Sequence, residues 1–446
     1  MQRWMTLSPE ADDRQNTAFD TWLQADGIPF ENAQSEAAYK ERVTLIRDAV
    51  QLERVPQRIP VCPMPGHFPI EHAGISWRDA MYDYEKLALA WKKYYDAFPT
   101  DVFHGPRTIV PGKMLDILDF KLYQWAGRGL AEDLEYQFVE KEYMPAGDYQ
   151  DLIDDPTGYF LNVYFPKIFG SLEPFKGFPL LPPVHEIPLV PPAIMPFANP
   201  SMIAALNALG DAGEAVAGWS ESMNRISLQI MAKGIPGFSG GFSKAPFDLI
   251  GDSLRGTRGI MTDMFRYKDE LIEACERLTP FMIKCGIAAC RATGHPMPYL
   301  PLHKGADGFM SERQFETFYW PTLRKVAIGL IDAGLVPILF AEGGYDKRLD
   351  IIGDLPKGKA IWLFDKTDMK RAKATVGRTC CLAGNVPMSL LCTGRPDDVI
   401  DYCRDLIDTV GRDGGFILST GAGMQGAKAA NVKAMIEFSK DYGICR

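Results

Sequence analysis

The sequence predicts an α/β fold of parallel βαβ units, and its 446 residues suit a single (β/α)8 barrel with insertions. Two observations support this fold class. In the C-terminal part, short apolar runs alternate with amphipathic stretches of helical period, which is typical of parallel strands covered by helices. Each apolar run also ends on small or polar residues, as strands do at the functional rim of a barrel. Length alone leaves two or three separate domains open.

The C-terminal elements are the most regular. A helix is predicted over 311–334, because Ser311 and Gln314 form a capping box and Gly334 suits a helix end; Pro321 predicts a kink or a break. Four strands are predicted at 336–340, 359–365, 378–386 and 414–420, with helices at 346–355, 367–377, 395–411 and 421–443.

The first half is less regular. Helices are predicted at 39–50 and 76–98, and strands at 58–64 and 101–105. We expect an N-terminal extension over 1–39 and one barrel over 40–446, with an insertion at about 105–200. The proline-rich stretch 174–200 cannot form regular helix or a central strand, yet it is too apolar for a disordered linker. It is predicted to pack over the barrel mouth or onto a partner subunit.

Composition excludes several functions. The 48 basic and 57 acidic residues give a net charge of −9, with no basic stripe for nucleic acid. No signal peptide and no apolar run of about 18 residues is apparent, so we expect a cytoplasmic protein without a membrane segment. Nine scattered cysteines without a CxxC motif predict reduced, mostly buried thiols. Cys380 and Cys381 are adjacent in a strand and are expected to face opposite sides.

Polar residues at the ends of the predicted strands are expected to meet at one rim. Glu342 stands out, because it ends an apolar run and precedes two glycines; its alternative is a solvated loop acid. Asp365 could serve the site or cap the next helix, and Asn385 could be a polar anchor or a turn residue. Phe340 and Trp362 could fill the barrel or form an aromatic wall for a substrate.

Histidines form the second group of candidates, since imidazole is the usual acid–base or ligand group near neutral pH. His67 follows the first predicted strand and His104 the second. His303 lies in a glycine-rich loop beside Lys304 and ranks with Glu342. Each of these histidines could also be an ordinary loop residue.

Several stretches together resemble the uroporphyrinogen decarboxylase superfamily, which includes corrinoid-linked methyltransferases. They are YKERVTLIRDAVQLERVPQRIPVCPMPGH, APFDLIGDSLRGTRGIMTDMFRYKDELIEACERL, SERQFETFYWPTLRKVAIGLIDAGLVPILF, CLAGNVPMSLL and ILSTGAGM. The resemblance covers about residues 40–446 and implies a TIM barrel.

Departures from this family carry functional information. Where the decarboxylases carry arginines that bind substrate carboxylates, this chain reads Met64-Pro65-Gly66-His67, so porphyrinogen decarboxylation is not expected. Where the thiol-methylating members hold zinc with a His-x-Cys pair and a later cysteine, this chain has Phe340, Glu342 and Ala422. Glu342 is the one potential metal ligand that remains.

The resemblance therefore implies a methyltransferase that moves a methyl group between a small methylated compound, such as an aromatic methyl ether, and a corrinoid (cobalamin) carried by a partner protein. Glu342, His303, His67 and Asp365 would polarise or protonate the leaving atom, with or without zinc. A homodimer stays open. Two alternatives remain: a decarboxylase of a small acid that uses His67, Lys304 and Arg107, and a non-catalytic barrel that binds a corrinoid.

Overall fold

The computed structural model describes residues 7–106, 109–179 and 186–444. Its strands, in chain order, are β1 Tyr123–Ala126, β2 Gly129–Leu130, β3 Gln137–Phe138, β4 Gly241–Phe242, β5 Pro298–Leu302, β6 Ile338–Ala341, β7 Ile361–Phe364, β8 Cys381–Val386 and β9 Phe416–Thr420.

The described residues contain more helices than strands. In the first half they are α1 Ala11–Gln24, α2 Ala33–Gln51, α3 Phe68–Ala73, α4 Trp77–Tyr82, α5 Tyr84–Ala97, α6 Gly112–Leu118, α7 Tyr149–Asp154, α8 Pro156–Tyr159, α9 Phe165–Ile168, α10 Val190–Ile194 and α11 Pro200–Ala232. In the second half they are α12 Pro246–Leu249, α13 Gly256–Arg266, α14 Lys268–Thr293, α15 Glu312–Gln314, α16 Trp320–Asp332, α17 Met369–Ala374, α18 Met388–Thr393, α19 Pro396–Leu406 and α20 Ala429–Tyr442.

A parallel sheet of six strands, in the order β4-β5-β6-β7-β8-β9, forms the centre of the molecule. Every residue of β6, β7, β8 and β9 is buried, because helices cover one face and the interior fills the other. The strand order follows the chain order, so all carboxyl ends lie on one edge. The predicted alternation of parallel strands and helices is therefore present.

Backbone hydrogen bonds continue beyond both edge strands. Next to β9, the Leu418 amide donates to the Pro60 carbonyl at 2.9 Å, and the Asp101 amide donates to the Val61 carbonyl at 3.0 Å. The Phe103 amide then donates to the Pro236 carbonyl at 2.7 Å, directly ahead of β4. The predicted strands at 58–64 and 101–105 thus contain only isolated bridges and are not regular strands.

Local capping explains where several helices begin. Ser311 and Gln314 form the predicted capping box at α15, and Pro321 lies in the first turn of α16, where its missing N–H is tolerated. The single helix expected over 76–98 is divided, because Asp83 ends α4 and its side chain accepts from the Lys86 amide to begin α5.

The N-terminal helices pack against apolar residues of the central sheet. Phe19 and Trp22 from α1 pack in one apolar cluster with Ile338 and Leu363 from the strands. Cys381 belongs to this inner cluster, whereas Cys380 packs in the outer cluster among the helices, which matches the expected alternation. The N-terminal extension is therefore part of the core.

A buried ionic group joins the first half of the chain to the last helix. Both Asp101 carboxylate oxygens accept from Arg58, at 2.6 and 2.8 Å, and Oδ2 also accepts from the Val61 amide at 2.8 Å. Lys440 of α20 lies 3.0 Å from the same carboxylate, and Arg42 of α2 lies 3.5 Å away.

The region between 109 and 200 contains elements that the sequence did not predict. The strands β1, β2 and β3 form a small separate sheet. The described part of the proline-rich stretch consists of short helical turns, and its Ile187 and Met195 are 88% and 71% exposed. Within the described residues, no single helix is long and apolar enough to span a membrane. The helical segments 187–198 and 200–232 reach that length and apolar composition only when taken together, and the chain bends sharply between them.

Candidate active site

A cavity of about 730 Å³ opens at the carboxyl ends of the strands. Its lining comes from residues in or before β4 and β5, from residues at or after the carboxyl ends of β6, β8 and β9, from the loops after the two bridged segments, and from α11. The lining residues include His67, His104, Glu135, Tyr136, Tyr299, Phe340, Glu342, Ala422 and Gln425. A cavity of this size suits a small organic ligand.

Aromatic rings form one wall of the cavity. The rings of Tyr299 and Phe340 stack with centroids 5.8 Å apart, and Phe242 meets Tyr299 edge-on at 5.6 Å. Burial raises the pKa of Tyr299 well above its usual value, so this phenol stays neutral. Phe340 thus lines the cavity, and an apolar or aromatic substrate would find a flat contact surface there.

His67 lies at the opposite wall. Its Nδ1 is 3.2 Å from a carboxylate oxygen of Glu135 and 3.2 Å from the Gln425 amide nitrogen. The ring also meets Trp77 edge-on with centroids 4.4 Å apart. The sequence predicted the histidine at the rim, and the structure adds the carboxylate that fixes its orientation.

His104 lines the cavity as well, and its backbone is tightly held. The His104 amide donates to the Tyr95 hydroxyl at 2.7 Å, and Trp91 Nε1 donates to the His104 carbonyl at 2.8 Å. Its ring packs against Phe238 at 5.3 Å. The position therefore suits a residue that shapes the cavity wall.

Glu342 directly follows β6, lines the cavity and is half exposed. Gly343 adopts a φ of +85°, which glycine tolerates best, and its amide donates to Asp365 Oδ2 at 3.1 Å. The Asp307 amide donates to the Gly344 carbonyl at 2.8 Å. The turn that carries Glu342 is therefore anchored from two neighbouring loops.

Asp365 acts through this turn and does not line the cavity. Burial raises its pKa. The expectation that Asp365 caps the following helix is wrong, because the N-cap of α17 is Asp368, whose side chain accepts from the Lys370 and Arg371 amides. Asp368, three residues after Asp365, is the acid whose side chain reaches the free amides at the start of the helix.

His303 directly follows β5 and connects the cavity to a group of charged side chains behind it. Its Nε2 lies 3.7 Å from Glu342 Oε2, and its Nδ1 lies 2.6 Å from Asp252 Oδ2. His303 itself does not line the cavity, because Glu342 lies between the His303 ring and the cavity. The two leading candidates from the sequence are thus in direct contact.

Asp248 and Asp252 are functional candidates that the sequence analysis missed. Asp248 is fully buried and accepts from the Tyr319 hydroxyl at 2.6 Å. Asp252 forms ion pairs with Lys244 at 2.6 Å and with Lys304 at 2.9 Å. Their spacing of four residues in DLIGD is the available signal, because it places both carboxylates on one side of a helical turn.

Two substrate-binding candidates lie elsewhere. Trp362 packs between Trp320 and Phe364, at 6.2 and 5.9 Å, on the side of the sheet that faces the helices. Asn385 donates to the Thr367 carbonyl at 2.8 Å and accepts from the Tyr402 hydroxyl at 3.1 Å. Neither residue lines the cavity, so Trp362 fills the core and Asn385 anchors a loop.

The three positions expected for zinc ligands do converge on the cavity. Phe340, Glu342 and Ala422 all line it, but only Glu342 has a donor atom. Over 7–106, 109–179 and 186–444, no group of three histidine, cysteine, aspartate or glutamate side chains could hold a metal ion. One carboxylate does not provide the thiolate and imidazole set of a zinc site, so the residues present do not fit that metal.

Of the two positions expected for the proline-rich stretch, its described residues do not take the one over the mouth, and contact with a partner subunit stays a prediction. None of its described residues lines the cavity; Phe175, Phe178 and Phe197 pack instead in an apolar cluster with α11. Asn224 and Met231 of α11 form the adjoining wall of the cavity.

Comparisons with known proteins agree with this architecture. No curated protein matches the chain significantly. Among solved structures, a methyltransferase from Methanosarcina mazei is similar, with a TM-score of 0.57 and 15% sequence identity over 91% of this chain and 98% of the other. At this identity the likeness concerns the fold. The family described as uroporphyrinogen decarboxylase (URO-D) matches residues 184–442, which is more than half of the chain. The chain belongs to the uroporphyrinogen decarboxylase family.

Proposed function

We propose that this enzyme transfers a methyl group from a small methylated compound, such as an aromatic methyl ether, to a corrinoid carried by a partner protein. The family and the methyltransferase fold support an enzyme of the methyltransferase or decarboxylase type. The observation that carries the choice is the charge of the cavity. Among the described lining residues there is no arginine or lysine, whereas Glu135 and Glu342 are both present.

This charge pattern disfavours a carboxylate substrate. Enzymes hold carboxylates with arginine or lysine, and the two glutamates would repel a second anion. Of the groups that a decarboxylase would use, His67 lines the cavity, but its Nδ1 lies 3.2 Å from the Glu135 carboxylate. Lys304 pairs with Asp252 at 2.9 Å and lies outside the cavity lining. Arg107 lies outside the described residues. A neutral methyl donor against the wall of Tyr299 and Phe340 suits the cavity better.

The same arrangement supplies what ether cleavage needs. The carbon–oxygen bond breaks, the oxygen keeps the bonding pair and must take a proton to leave as an alcohol or a phenol. Glu342 lines the cavity, and His303 behind it can replace the proton that Glu342 gives up. The corrinoid supplies, when bound, a reduced cobalt whose electron pair forms the new bond to the methyl carbon.

We also propose that the sheet closes into a (β/α)8 barrel through the bridged segments at 60–62 and 101–103. The chain of hydrogen bonds from β9 through Val61 and Phe103 to the strand region before β4 supports eight parallel segments. The partner's corrinoid would then reach the methyl donor from the open side of the cavity, where the carboxyl ends meet.

To test methyl transfer, the purified protein would be incubated with cob(I)alamin and a panel of methyl ethers and methylamines, and the cobalamin followed by visible spectroscopy. We expect conversion to methylcobalamin with at least one methyl ether. Release of carbon dioxide from a small acid without cobalamin, together with no methyl transfer from any donor, would contradict the proposal.

A further inference from the structure

Asp252 lies at the centre of a charged group behind Glu342. Its Oδ2 lies 2.6 Å from His303 Nδ1 and 2.6 Å from Lys244 Nζ, and its Oδ1 lies 2.9 Å from Lys304 Nζ. Three cationic or ionisable partners thus share one carboxylate. Asp252 is largely buried, so water competes little for these contacts.

Asp248 holds the backbone of the same histidine. The His303 amide donates to Asp248 Oδ2 at 3.1 Å, and the Lys304 amide donates to Oδ1 at 3.0 Å. Tyr319 donates its hydroxyl to the same carboxylate at 2.6 Å. His303 is therefore fixed twice, through its main chain by Asp248 and through its ring by Asp252.

This arrangement decides which ring nitrogen faces the cavity. A histidine whose Nδ1 is 2.6 Å from a carboxylate keeps a proton on Nδ1. Nε2 is then the nitrogen free to gain or lose a proton, and it lies 3.7 Å from Glu342 Oε2. That separation is an ion-pair contact, and catalytic contacts of this kind often shorten when the substrate binds.

We propose that Asp252 is the positioning residue of a proton relay in which His303 passes a proton to Glu342, and Glu342 passes it to the leaving oxygen in the cavity. The proposal rests on the proposed methyl transfer, because it assigns the source of the proton that the leaving group takes. One proton moves from Nε2 to the carboxylate for each proton that the carboxylate gives up, and solvent restores the imidazolium.

The charges around His303 support its protonated form. Burial lowers its pKa, but the hydrogen bond and charge of Asp252, with the charge of Asp248, outweigh burial and raise the pKa above the ordinary histidine value. Lys244 opposes them. Burial and the neighbouring Asp252 raise the pKa of Asp248 to about 6.

Asp252 itself stays ionised. Burial acts to raise its pKa, but the hydrogen bond from His303 and the charges of Lys244, His303 and Lys304 hold the pKa well below its usual range. Two more acids of the described residues face this group, Glu342 on the loop after β6 and Glu140, which interacts with Asp252 and Lys304.

The first test measures the histidine directly and needs no activity. The protein labelled with ¹⁵N-histidine would be titrated by NMR, with the His303 signals assigned from their loss in His303→Gln. We expect the His303 pKa to fall in Asp252→Asn and its Nδ1-protonated pattern to disappear. In the matched variant Lys244→Gln, which removes an opposing cation, the His303 pKa should rise.

The second test is the pH profile of single-turnover methyl transfer. Because protonated His303 is the donor, the wild-type rate should fall as pH rises through the His303 pKa. In Asp252→Asn this fall should move to lower pH, and the rate at neutral pH should drop about 10²-fold, the lower range of general-acid effects. Donor affinity should change little.

The outcomes separate the two proposals. An unchanged His303 titration in Asp252→Asn, or an unchanged pH profile, would overturn the positioning role of Asp252. If the His303 titration shifts as expected while wild-type protein transfers no methyl group from any donor, the positioning of His303 by Asp252 stands and the proposed function fails.

Discussion

Glu342 lines the cavity and also contacts the ring of His303 behind it. Its turn is fixed by the Gly343 amide, which donates to Asp365 at 3.1 Å. In the proposed function, the Glu342 carboxylate would exchange protons with the bound donor and with His303, whose Nε2 lies 3.7 Å from Oε2. Glu342 is half exposed, and its role as a proton carrier belongs to the proposed function.

The variant Glu342→Gln keeps the size of the side chain and removes its ability to transfer a proton. We expect the single-turnover rate of methyl transfer to fall about 10²-fold or more, with donor binding by calorimetry nearly unchanged. The matched control is Glu437→Gln, an exposed glutamate of α20 that lies 3.6 Å from Lys433. Equal rates in Glu342→Gln and the control would show that Glu342 carries no proton.

From the sequence, individual site residues could be predicted, but not the residues that contact them. Glu342 and His303 were predicted separately, because both follow apolar runs that end at a rim. Asp252 was missed, since an acid in a helical stretch beside Asp248 looks like a solvated face. The sequence left two roles open for Trp362, because a strand residue faces either the interior or the helices, and local sequence does not decide which.

Elements far from the cavity are joined by the buried carboxylate of Asp101. It connects the segment at 58–61 to α2 and α20 through Arg58, Arg42 and Lys440. Burial raises the pKa of Asp101, but the hydrogen bond from Arg58 and the charges of Lys440 and Arg58 lower it overall. This carboxylate therefore contributes stability above the ordinary aspartate pKa, and that contribution is lost as pH falls through its lower folded value.

We expect Asp101→Asn to lower the free energy of unfolding by about 3–5 kcal/mol, because it leaves buried cations without their counter-ion. Urea denaturation at pH 7 followed by circular dichroism would measure this loss. Glu437→Gln, at an exposed ion pair, should change stability by less than about 0.5 kcal/mol. A loss of the same small size in Asp101→Asn would contradict the structural role of the ionic group.

Regular elements with local signals could be predicted. The capping box at Ser311 and Gln314 and the parallel strands β6 to β9 are present where the sequence placed them. The segments near Val61 and Phe103 were predicted as strands, but each makes only single bridges, and pairing depends on distant residues. The small sheet β1–β3 could not be predicted, because its strands have two to four residues.

At the scale of the whole molecule, the order of the strands places the cavity. A sheet whose spatial order follows the chain brings all carboxyl ends to one edge, where Glu342 after β6 and Gln425 after β9 both line the cavity. The sequence could predict this convergence and the family. It could not predict that the proline-rich stretch packs with α11, because an apolar segment without periodicity carries no information about its contact surface.

The central claim is that the cavity accepts a methyl donor rather than a carboxylate, and isotope labelling tests it most directly. The protein would be incubated with reduced cobalamin and either a ¹³C-methyl aromatic ether or a ¹³C-carboxyl small acid, and the label followed by ¹³C NMR. We predict that the methyl label leaves the ether and appears on cobalt while the carboxyl label stays in place. Labelled carbon dioxide from the acid, with the ether intact, would contradict the account.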